Sequence, residues 1–272
     1  MVRSLWSAAT GMIAQQVNVD TIAHNLSNVN TTGYKTEVAE FQPLLYQTLQ
    51  TRTTSANGDE KPGSAQVGLG VRNSSISSIF TQGEMRESTS PTAFAIKEGE
   101  GFFSIRGLDG GTYYTRNGNF FISEGNDGLT LCTAEGYPVL DTEGNEIVFD
   151  SDMIVSKITV TDQGTFCYPD ETNNPRELDM TIGLYQFNNP TGLLKTDGGY
   201  YQETPASGEA MNEAENDELK KSKIVQGYLE ASNVKVVDEM VNMIIAQRAY
   251  EMNSKAITTT DEMMQTANQL KS

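Results

Sequence analysis

The first thirty residues carry a regular apolar seam with almost no charge. In steps of three and four, with Gln15 as the polar exception, apolar or small side chains occur at Leu5, Ala8, Met12, Val19, Ile22, Leu26 and Val29. This spacing predicts an α-helix with a coiled-coil-like seam over residues 4–30, and the Asn and Gly residues at 28–33 favour its end there. No charged residue lies between Arg3 and Asp20. Because a solvated helix face normally carries Lys and Glu, we expect protein on most sides of this helix.

The last part of the chain repeats this pattern. Apolar or small residues follow a repeat close to 3.6, without Gly or Pro, at Val234, Val237, Val241, Ile245, Ala249, Met252, Ala256, Met263 and Leu270. They predict a second helix with Ser232 or Asn233 as its N-cap. Each helix has a one-sided seam that needs a partner. We therefore expect the two terminal helices to pair and to pack against copies of the chain.

The middle of the chain has the pattern of an antiparallel β-domain. Ten of the 24 glycines lie between Gly99 and Gly144. Such glycines and Asn or Asp turns separate short β-prone runs, at Phe102–Arg106, Thr112–Thr115, Phe120–Ser123, Leu129–Thr133, Ile158–Thr161, Thr165–Tyr168 and Thr181–Phe187. The sequence thus predicts a discontinuous α+β chain of three parts. These are a helical core of residues 1–34 and 231–272, an extended arm at 35–75, and an all-β domain at 76–230.

Two polar segments interrupt this pattern. Residues 50–66 are low in apolar content, which predicts a loop or an extended arm. Residues 205–222 carry five acidic residues, at Glu209, Glu213, Glu215, Asp217 and Glu218. A charge run of this kind predicts a solvated acidic connector to the last helix.

Composition narrows the classes of function. The chain has 272 residues, with 19 Lys and Arg against 36 Asp and Glu, and its formal net charge is −17. We therefore expect no nucleic-acid partner, because phosphates need basic side chains to neutralise them. One histidine, His24, is too few for a histidine-based metal site. Two cysteines, Cys132 and Cys167, are too few for a disulfide scaffold, and we expect them to be buried free thiols.

The sequence also argues against catalysis and membrane insertion. No acid, base and nucleophile converge in its pattern, so we expect no enzyme activity, no catalytic residue, no metal and no cofactor. Polar residues such as Ser7 and Thr10 interrupt the apolar stretch that a signal peptide needs. No window approaches the roughly 18 apolar residues of a membrane span. We expect an unprocessed chain without direct membrane insertion.

Both ends of the chain resemble one known family. The stretch Leu5-Trp-Ser-Ala-Ala-Thr-Gly-Met-Ile-Ala-Gln-Gln16, followed by Ile22–Lys35, is similar to the signature of bacterial flagellar rod and hook proteins. Gln226–Lys255 resembles the family's other end. The likeness continues into the middle of the chain at Gly99–Phe103, Tyr114–Gly118 and Gly136–Pro138. Within the family, the segment 46–72 is similar to the distal-rod members.

The resemblance implies a structural subunit. Distal-rod subunits polymerise helically into the drive shaft that carries torque from the motor to the hook, in the flagellar basal body. The implied partners are copies of this chain, other flagellar rod and hook proteins, and the flagellar export apparatus. Such subunits cross the cytoplasmic membrane through that apparatus without a cleaved signal peptide.

We expect the residues of self-assembly to lie on the two terminal helices and in the reversal between the first helix and the arm. For the reversal we assign Asn28, Asn30 and Gly33. On the helices we assign Leu5, Met12, Val19, Ile22, Leu26, Val237, Val241, Ile245, Gln247, Arg248, Tyr250 and Met252.

Alternative interpretations remain open from the residues. The chain could be a proximal-rod or other member of the same family. In a different class, it could be a secreted β-domain with helical flanks, acting as a binding module or an enzyme. The long terminal seams have no evident role in a secreted binding module or enzyme. Observation of filaments by electron microscopy would separate these classes from a rod subunit.

Overall fold

Contacts divide the chain into two compact units. The computed structural model describes residues 2–50, 65–125, 128–170, 174–216 and 218–270. One part, here called the helical unit, comprises residues 1–27, 37–78 and 235–272. The other, here called the β unit, comprises residues 28–36 and 79–234. The prediction of an α+β chain with terminal helices and an all-β middle is confirmed. The predicted boundaries of the three parts stay predictions.

The helical unit contains two long helices and four strands. Their bounds are α1 Val2–Ser27, α2 Val236–Gln269, β1 Glu37–Pro43, β2 Tyr46–Gln50, β3 Ala65–Gly68 and β4 Val71–Ser78. Strand β1 pairs with β4 and β2 pairs with β3, both in antiparallel register. Of the loop or extended arm predicted at 50–66, the two ends lie in β2 and β3. Residues 51–64 lie outside the described residues.

The two helices pack against each other in antiparallel directions. Gly11 of α1 lies opposite the side chain of Asn253 on α2, which is 2.9 Å from the position of an added Cβ. Two heptads further along α1, the Asn25 Nδ2 donates to Glu239 Oε2 at 3.4 Å, and Glu239 lies two heptads earlier on α2. Helix α1 also contacts β1 and β4. The expected pairing of the terminal helices is confirmed, with coiled-coil spacing.

The β unit contains sixteen strands among its described residues. They are β5 Met85–Glu87, β6 Phe94–Glu98, β7 Phe102–Arg106, β8 Thr112–Thr115, β9 Phe121–Glu124, β10 Leu129–Cys132, β11 Val148–Phe149, β12 Thr159–Val160, β13 Thr165–Pro169, β14 Pro175–Thr181, β15 Leu184–Gln186, β16 Leu194–Thr196, β17 Tyr200–Gln202, β18 Met211–Asn212, β19 Lys223–Gln226 and β20 Tyr228–Glu230. The strands form a six-stranded sheet in the order β16-β17-β8-β7-β15-β18 and smaller antiparallel sheets.

The six-stranded sheet separates two apolar cores. Along β7 successive side chains point to opposite faces, so Phe102 joins one core while Phe103 and Ile105 join the other. Phe102 meets the rings of Phe187 and Tyr201 edge-on, with centroids 5.7 and 5.8 Å away. Burial on both faces explains why residues 102–105 of this strand are apolar apart from Ser104.

Two sequence predictions for the second half of the chain are wrong. Helix α2 begins at Val236 with Lys235 as its N-cap and no side-chain cap hydrogen bond. Asn233, one of the predicted caps, instead accepts from the Thr36 N–H at 2.7 Å and donates to the Ile79 carbonyl at 2.8 Å. Because the Asn233 side-chain amide already forms hydrogen bonds with two other backbone segments, it cannot also cap the helix.

The second prediction is the solvated acidic connector at 205–222, which is wrong at Glu213, whereas Glu209, Glu215 and Glu218 are exposed. The Glu213 side chain is buried, and its carboxylate accepts from the Ser222 N–H at 2.6 Å and from Gln186 Nε2 at 2.9 Å. Burial of a carboxylate is tolerated because these donors replace water. Cys132 and Cys167 are buried and free, as predicted.

Candidate self-assembly surface

The first half of α2 is apolar on two opposite faces. Toward α1 it presents Ala246, which is buried, and Met243, which is half-buried. On the opposite side, in steps of four and three, stand Val237, Val241 and Ile244, with 73%, 51% and 58% of their side chains exposed. Solvent-facing helix surfaces normally carry charged side chains. This half of α2 therefore has the composition of a helix covered on both sides.

The exposed face of α2 extends beyond these three residues. It continues through Met240, Ile245 and Met252, which are 50%, 61% and 67% exposed. Beyond Met252 the same side of the helix carries polar residues, including Lys255 and Glu262. The uncovered apolar surface is thus densest over residues 237–252, about four helical turns, and Met263 and Leu270 further along are also exposed, at 51% and 85%. We call it the α2 apolar face.

Helix α1 exposes a smaller apolar surface. Trp6 and Ile13 are 65% and 64% exposed and lie one heptad apart, so they share a side of the helix. The most deeply buried positions of α1 follow a different stripe: Ala8, Ala14, Thr21, Ile22 and Asn25. The small residues at 8, 11 and 14 let the partner helix approach closely.

The sequence-assigned helix residues divide between the two surfaces. On α1, Ile22 is buried, whereas Leu5, Met12, Val19 and Leu26 are half-buried. On α2, all the assigned residues are exposed: Val237, Val241, Ile245, Gln247, Arg248, Tyr250 and Met252. Arg248 Nη1 forms an ion pair with Glu251 Oε2 at 2.8 Å.

The assigned residues of α2 do not face α1. The pairing stripe runs through Ala246 and Thr260, which are buried, with half-buried Met243, Asn253 and Ile257. Periodicity selected the more apolar side of α2. Close helix approach instead favours the side with small side chains, because the two backbones can come nearer there.

Asn25 is a central residue that the sequence analysis did not single out. Its side chain is completely buried. The side-chain amide forms two hydrogen bonds with β1: it accepts from the Glu37 N–H and donates to the Glu37 carbonyl, each at 2.8 Å. The amide thereby satisfies both polar groups of one strand residue at the point where the strand meets α1. A buried Asn between seam positions is the only sequence signal, and it does not identify the distant partner.

The reversal after α1 is a tight turn that begins at Asn28. The Thr31 N–H donates to the Asn28 carbonyl at 3.1 Å, and Asn30 is exposed in the same turn. Gly33 is buried at φ +71°, and its N–H donates to the Glu230 carbonyl at 2.8 Å. Glycine is favoured there because L side chains rarely adopt positive φ.

We expect Gly33→Ala to lower the free energy of unfolding of the β unit by about 2–3 kcal/mol. A Cβ at this position would lie 2.7 Å from the backbone carbon of Arg116 and from the Asn117 nitrogen, neither of which can rotate away. Gly144→Ala is the control, because Gly144 has φ +83° but no heavy atom within 4 Å of an added Cβ. Urea unfolding followed by circular dichroism measures both. Equal losses would show that the close approach at Gly33 is not important.

A buried charge cluster lies in the β unit. Lys35 Nζ contacts Glu230 Oε1 at 2.6 Å, and Arg116 Nη1 contacts Glu230 Oε2 at 3.4 Å. Lys35 also donates to the Thr81 carbonyl at 2.8 Å, and the Gly83 N–H donates to Glu230 Oε1 at 2.8 Å. All three ionic side chains are at most 2% exposed. Glu230 is thus the single carboxylate that ion-pairs with both buried cations.

The electrostatics of the cluster follow from its burial. Removal from water lowers the pKa of Lys35, and Glu230 opposes that shift while Arg116 adds to it. Burial also lowers the pKa of Arg116, again opposed by Glu230. The Arg116 guanidinium lies 5.1 Å from the centroid of the Phe102 ring, which adds a cation–π contact.

The described residues offer no metal site and no membrane-spanning helix. They contain no group of three or more His, Cys, Asp or Glu side chains placed to hold a metal ion. Within the same residues, neither helix combines the length and apolar content needed to span a membrane. The feature that remains is the uncovered apolar surface of the helices.

Comparison with known proteins shows which family shares the sequence of this chain. Three family models match: "Flagella basal body rod protein" over residues 5–35, "Flagellar hook protein FlgE/F/G D1 domain" over 95–168, and "Flagellar basal body rod FlgEFG protein C-terminal" over 225–270. The chain is 44% identical to the flagellar basal-body rod protein FlgG of Borreliella burgdorferi, over 100% of this chain and 99% of that protein. This chain belongs to the flagellar basal-body rod protein family. The flagellar basal-body rod proteins FlgG of Agrobacterium fabrum and Buchnera aphidicola subsp. Schizaphis graminum are 42% and 38% identical to it, over 96% and 99% of this chain and 97% and 100% of theirs.

The matched regions correspond to the units of this rod-family chain. The first and third family models cover most of α1 and α2, and the second covers much of the β unit. The resemblance stated from the sequence is confirmed, including its likeness to FlgG.

Proposed function

We propose that this chain is a structural, non-enzymatic subunit of the distal rod, which polymerises helically and transmits torque from motor to hook. The observation that carries the proposal is the α2 apolar face, which stays exposed although α1 already covers the opposite side of the helix. The names of the FlgG relatives support the rod assignment.

Burial of the α2 apolar face by neighbouring copies would supply the driving force for assembly. Fully burying a Val, Ile or Met side chain contributes about 1.5–3 kcal/mol. Six such residues lie on the face, each at least half exposed. Because identical subunits repeat the contact along a polymer, even a partial gain at each residue accumulates. An enzyme or a monomeric binding module has no use for this surface.

Basal bodies from a strain that lacks the chain test this function. We expect them to end before the distal rod and to carry no hook, and we expect plasmid-encoded chain to restore both. A peptide tag in residues 51–64 should place antibody on the distal rod in electron micrographs. Normal rods and motility without the chain would contradict the assignment.

A further proposal is that the segment between β2 and β3 bridges neighbouring subunits and stiffens the rod. Deleting residues 51–64 should leave the helices able to polymerise but give bent or more flexible rods, measured as curvature in electron micrographs. The control replaces the same residues by Gly and Ser at equal length, which separates chain length from side-chain contacts. Straight rods in both variants would show that the segment does not bridge subunits.

We also propose that the chain reaches the rod through the flagellar export apparatus with its amino terminus intact. Cleavage of an amino-terminal signal would remove much of α1, which pairs with α2. Peptide mapping of the chain taken from isolated basal bodies should therefore recover the first residues of α1. A product shortened by 15 or more residues, the length of a signal peptide, would contradict this route.

A further inference from the structure

A cavity of about 340 Å³ lies in the β unit. It is bounded by the turn between β7 and β8, which contributes Leu108 and Asp109, and by Asp197 after β16. Tyr113, Tyr137 and Tyr200 form the aromatic part of its lining. Its volume is at the lower end of the range of ligand-binding pockets, which suits one side chain better than a large molecule.

Most hydroxyl donors in this cavity already have a hydrogen-bond partner. Four hydroxyl groups line it, and three of them are engaged. Tyr113 donates to Asp109 Oδ2 at 3.0 Å and Thr196 donates to the Tyr200 carbonyl at 3.1 Å, while the Tyr200 hydroxyl bonds the Glu135 carboxylate. The carboxylates keep free lone pairs. The site therefore offers mainly acceptors to a ligand.

The lining of the cavity is negatively charged. The Gly111 N–H and the Tyr113 hydroxyl hold the pKa of Asp109 below its ordinary value, so this carboxylate is ionised at neutral pH. No Lys, Arg or His is among the described residues that line the cavity. A phosphate or carboxylate ligand would be repelled.

Donor and acceptor matching then distinguishes the remaining ligand classes. A saccharide hydroxyl both donates and accepts, and only Tyr137 has an uncommitted side-chain donor for it. A guanidinium has five N–H donors and no acceptor, and it stacks on aromatic rings. Leu108, which is 93% exposed, gives the rim an apolar contact for the methylene groups of such a side chain.

We infer that this cavity binds an arginine side chain of a partner protein, with Asp109 and Asp197 accepting from the guanidinium beside the tyrosine rings. The partner is a basic protein, because this chain carries 36 acidic against 19 basic residues and so attracts proteins of opposite charge. The inference does not depend on polymerisation.

Ligand-observed NMR titration of the full chain tests this site. The probe is acetyl-Gly-Arg-Gly-amide, and the same peptide with citrulline is its uncharged isostere. We expect the arginine peptide to bind at least tenfold more tightly than the citrulline peptide. Equal binding of the two peptides, or displacement of the arginine peptide by an N-acetylglucosamine disaccharide, would overturn the inference.

Two variants locate the binding. Asp197→Asn should weaken arginine-peptide binding about tenfold, which is the effect of removing one charged hydrogen-bond partner. Asp152→Asn removes the same charge at an exposed position outside the cavity lining and should leave binding unchanged. Tyr137→Leu should weaken binding without a change of charge. Unaltered binding in both Asp197→Asn and Tyr137→Leu, with unchanged thermal unfolding, would place the arginine elsewhere.

Discussion

Glu230→Gln is expected to lower the free energy of unfolding of the β unit by about 3–5 kcal/mol, the usual cost of removing one partner from a buried ion pair. Glu230 pairs with both Lys35 and Arg116, and the three side chains are almost completely buried. With glutamine in its place, two cations stay out of water without a counter-charge. The amide also presents donors to groups that are themselves donors, which adds an unsatisfied contact.

Urea unfolding followed by far-UV circular dichroism measures this loss. Glu98→Gln is the control, because Glu98 forms an ion pair with Lys223 at 3.1 Å but both side chains are about half exposed. Solvent screens such a pair, so the control should unfold like the unaltered chain. If the two variants had equal midpoints, the cluster would not stabilise the fold through its charges.

The pH dependence of the Glu230→Gln variant gives a second readout. Burial places the pKa of Lys35 in the folded state below its ordinary value of 10.5, and loss of Glu230 lowers it further. Between the two pKa values the unfolded state binds more protons, so stability rises with pH in that window. The deficit of the variant should therefore narrow as the pH is raised toward 10. A deficit that does not change with pH would point to lost packing alone.

The terminal helices show what local pattern can predict. The apolar spacing and the helix-end signals were enough to place α1 and α2 within a few residues of their ends. They were not enough to choose the pairing side of α2, because its first half is apolar on two sides. A single sequence contains no information on which side a partner copy covers.

Buried polar residues mark the limit of prediction from sequence. Asn25, Lys35 and Glu230 look like ordinary surface types, yet each is buried and pairs with groups far away in the chain. Lys35 and Glu230 are 195 positions apart. Propensity and periodicity describe neighbours within one element, and they do not specify such contacts.

Ile245→Glu is expected to abolish distal-rod assembly and motility while leaving the folded subunit intact. Ile245 is 61% exposed on the α2 apolar face, so glutamate is solvated in the isolated chain. Glutamate also has a helix propensity at least as high as that of isoleucine, and α2 should form normally. In a polymer that covers this face, the carboxylate would be buried without a partner at a cost of several kcal/mol. The cost recurs at every subunit.

Ile245→Leu is the matched control, because it keeps the apolar character and volume of the side chain and should preserve motility. Thermal unfolding of both purified variants checks the fold, and electron microscopy of isolated basal bodies checks the rod. Normal rods built from the Ile245→Glu chain would mean that the α2 apolar face is not buried by a neighbouring copy. The contact between subunits would then have to be sought elsewhere, for example on α1, where Trp6 and Ile13 form another exposed apolar surface.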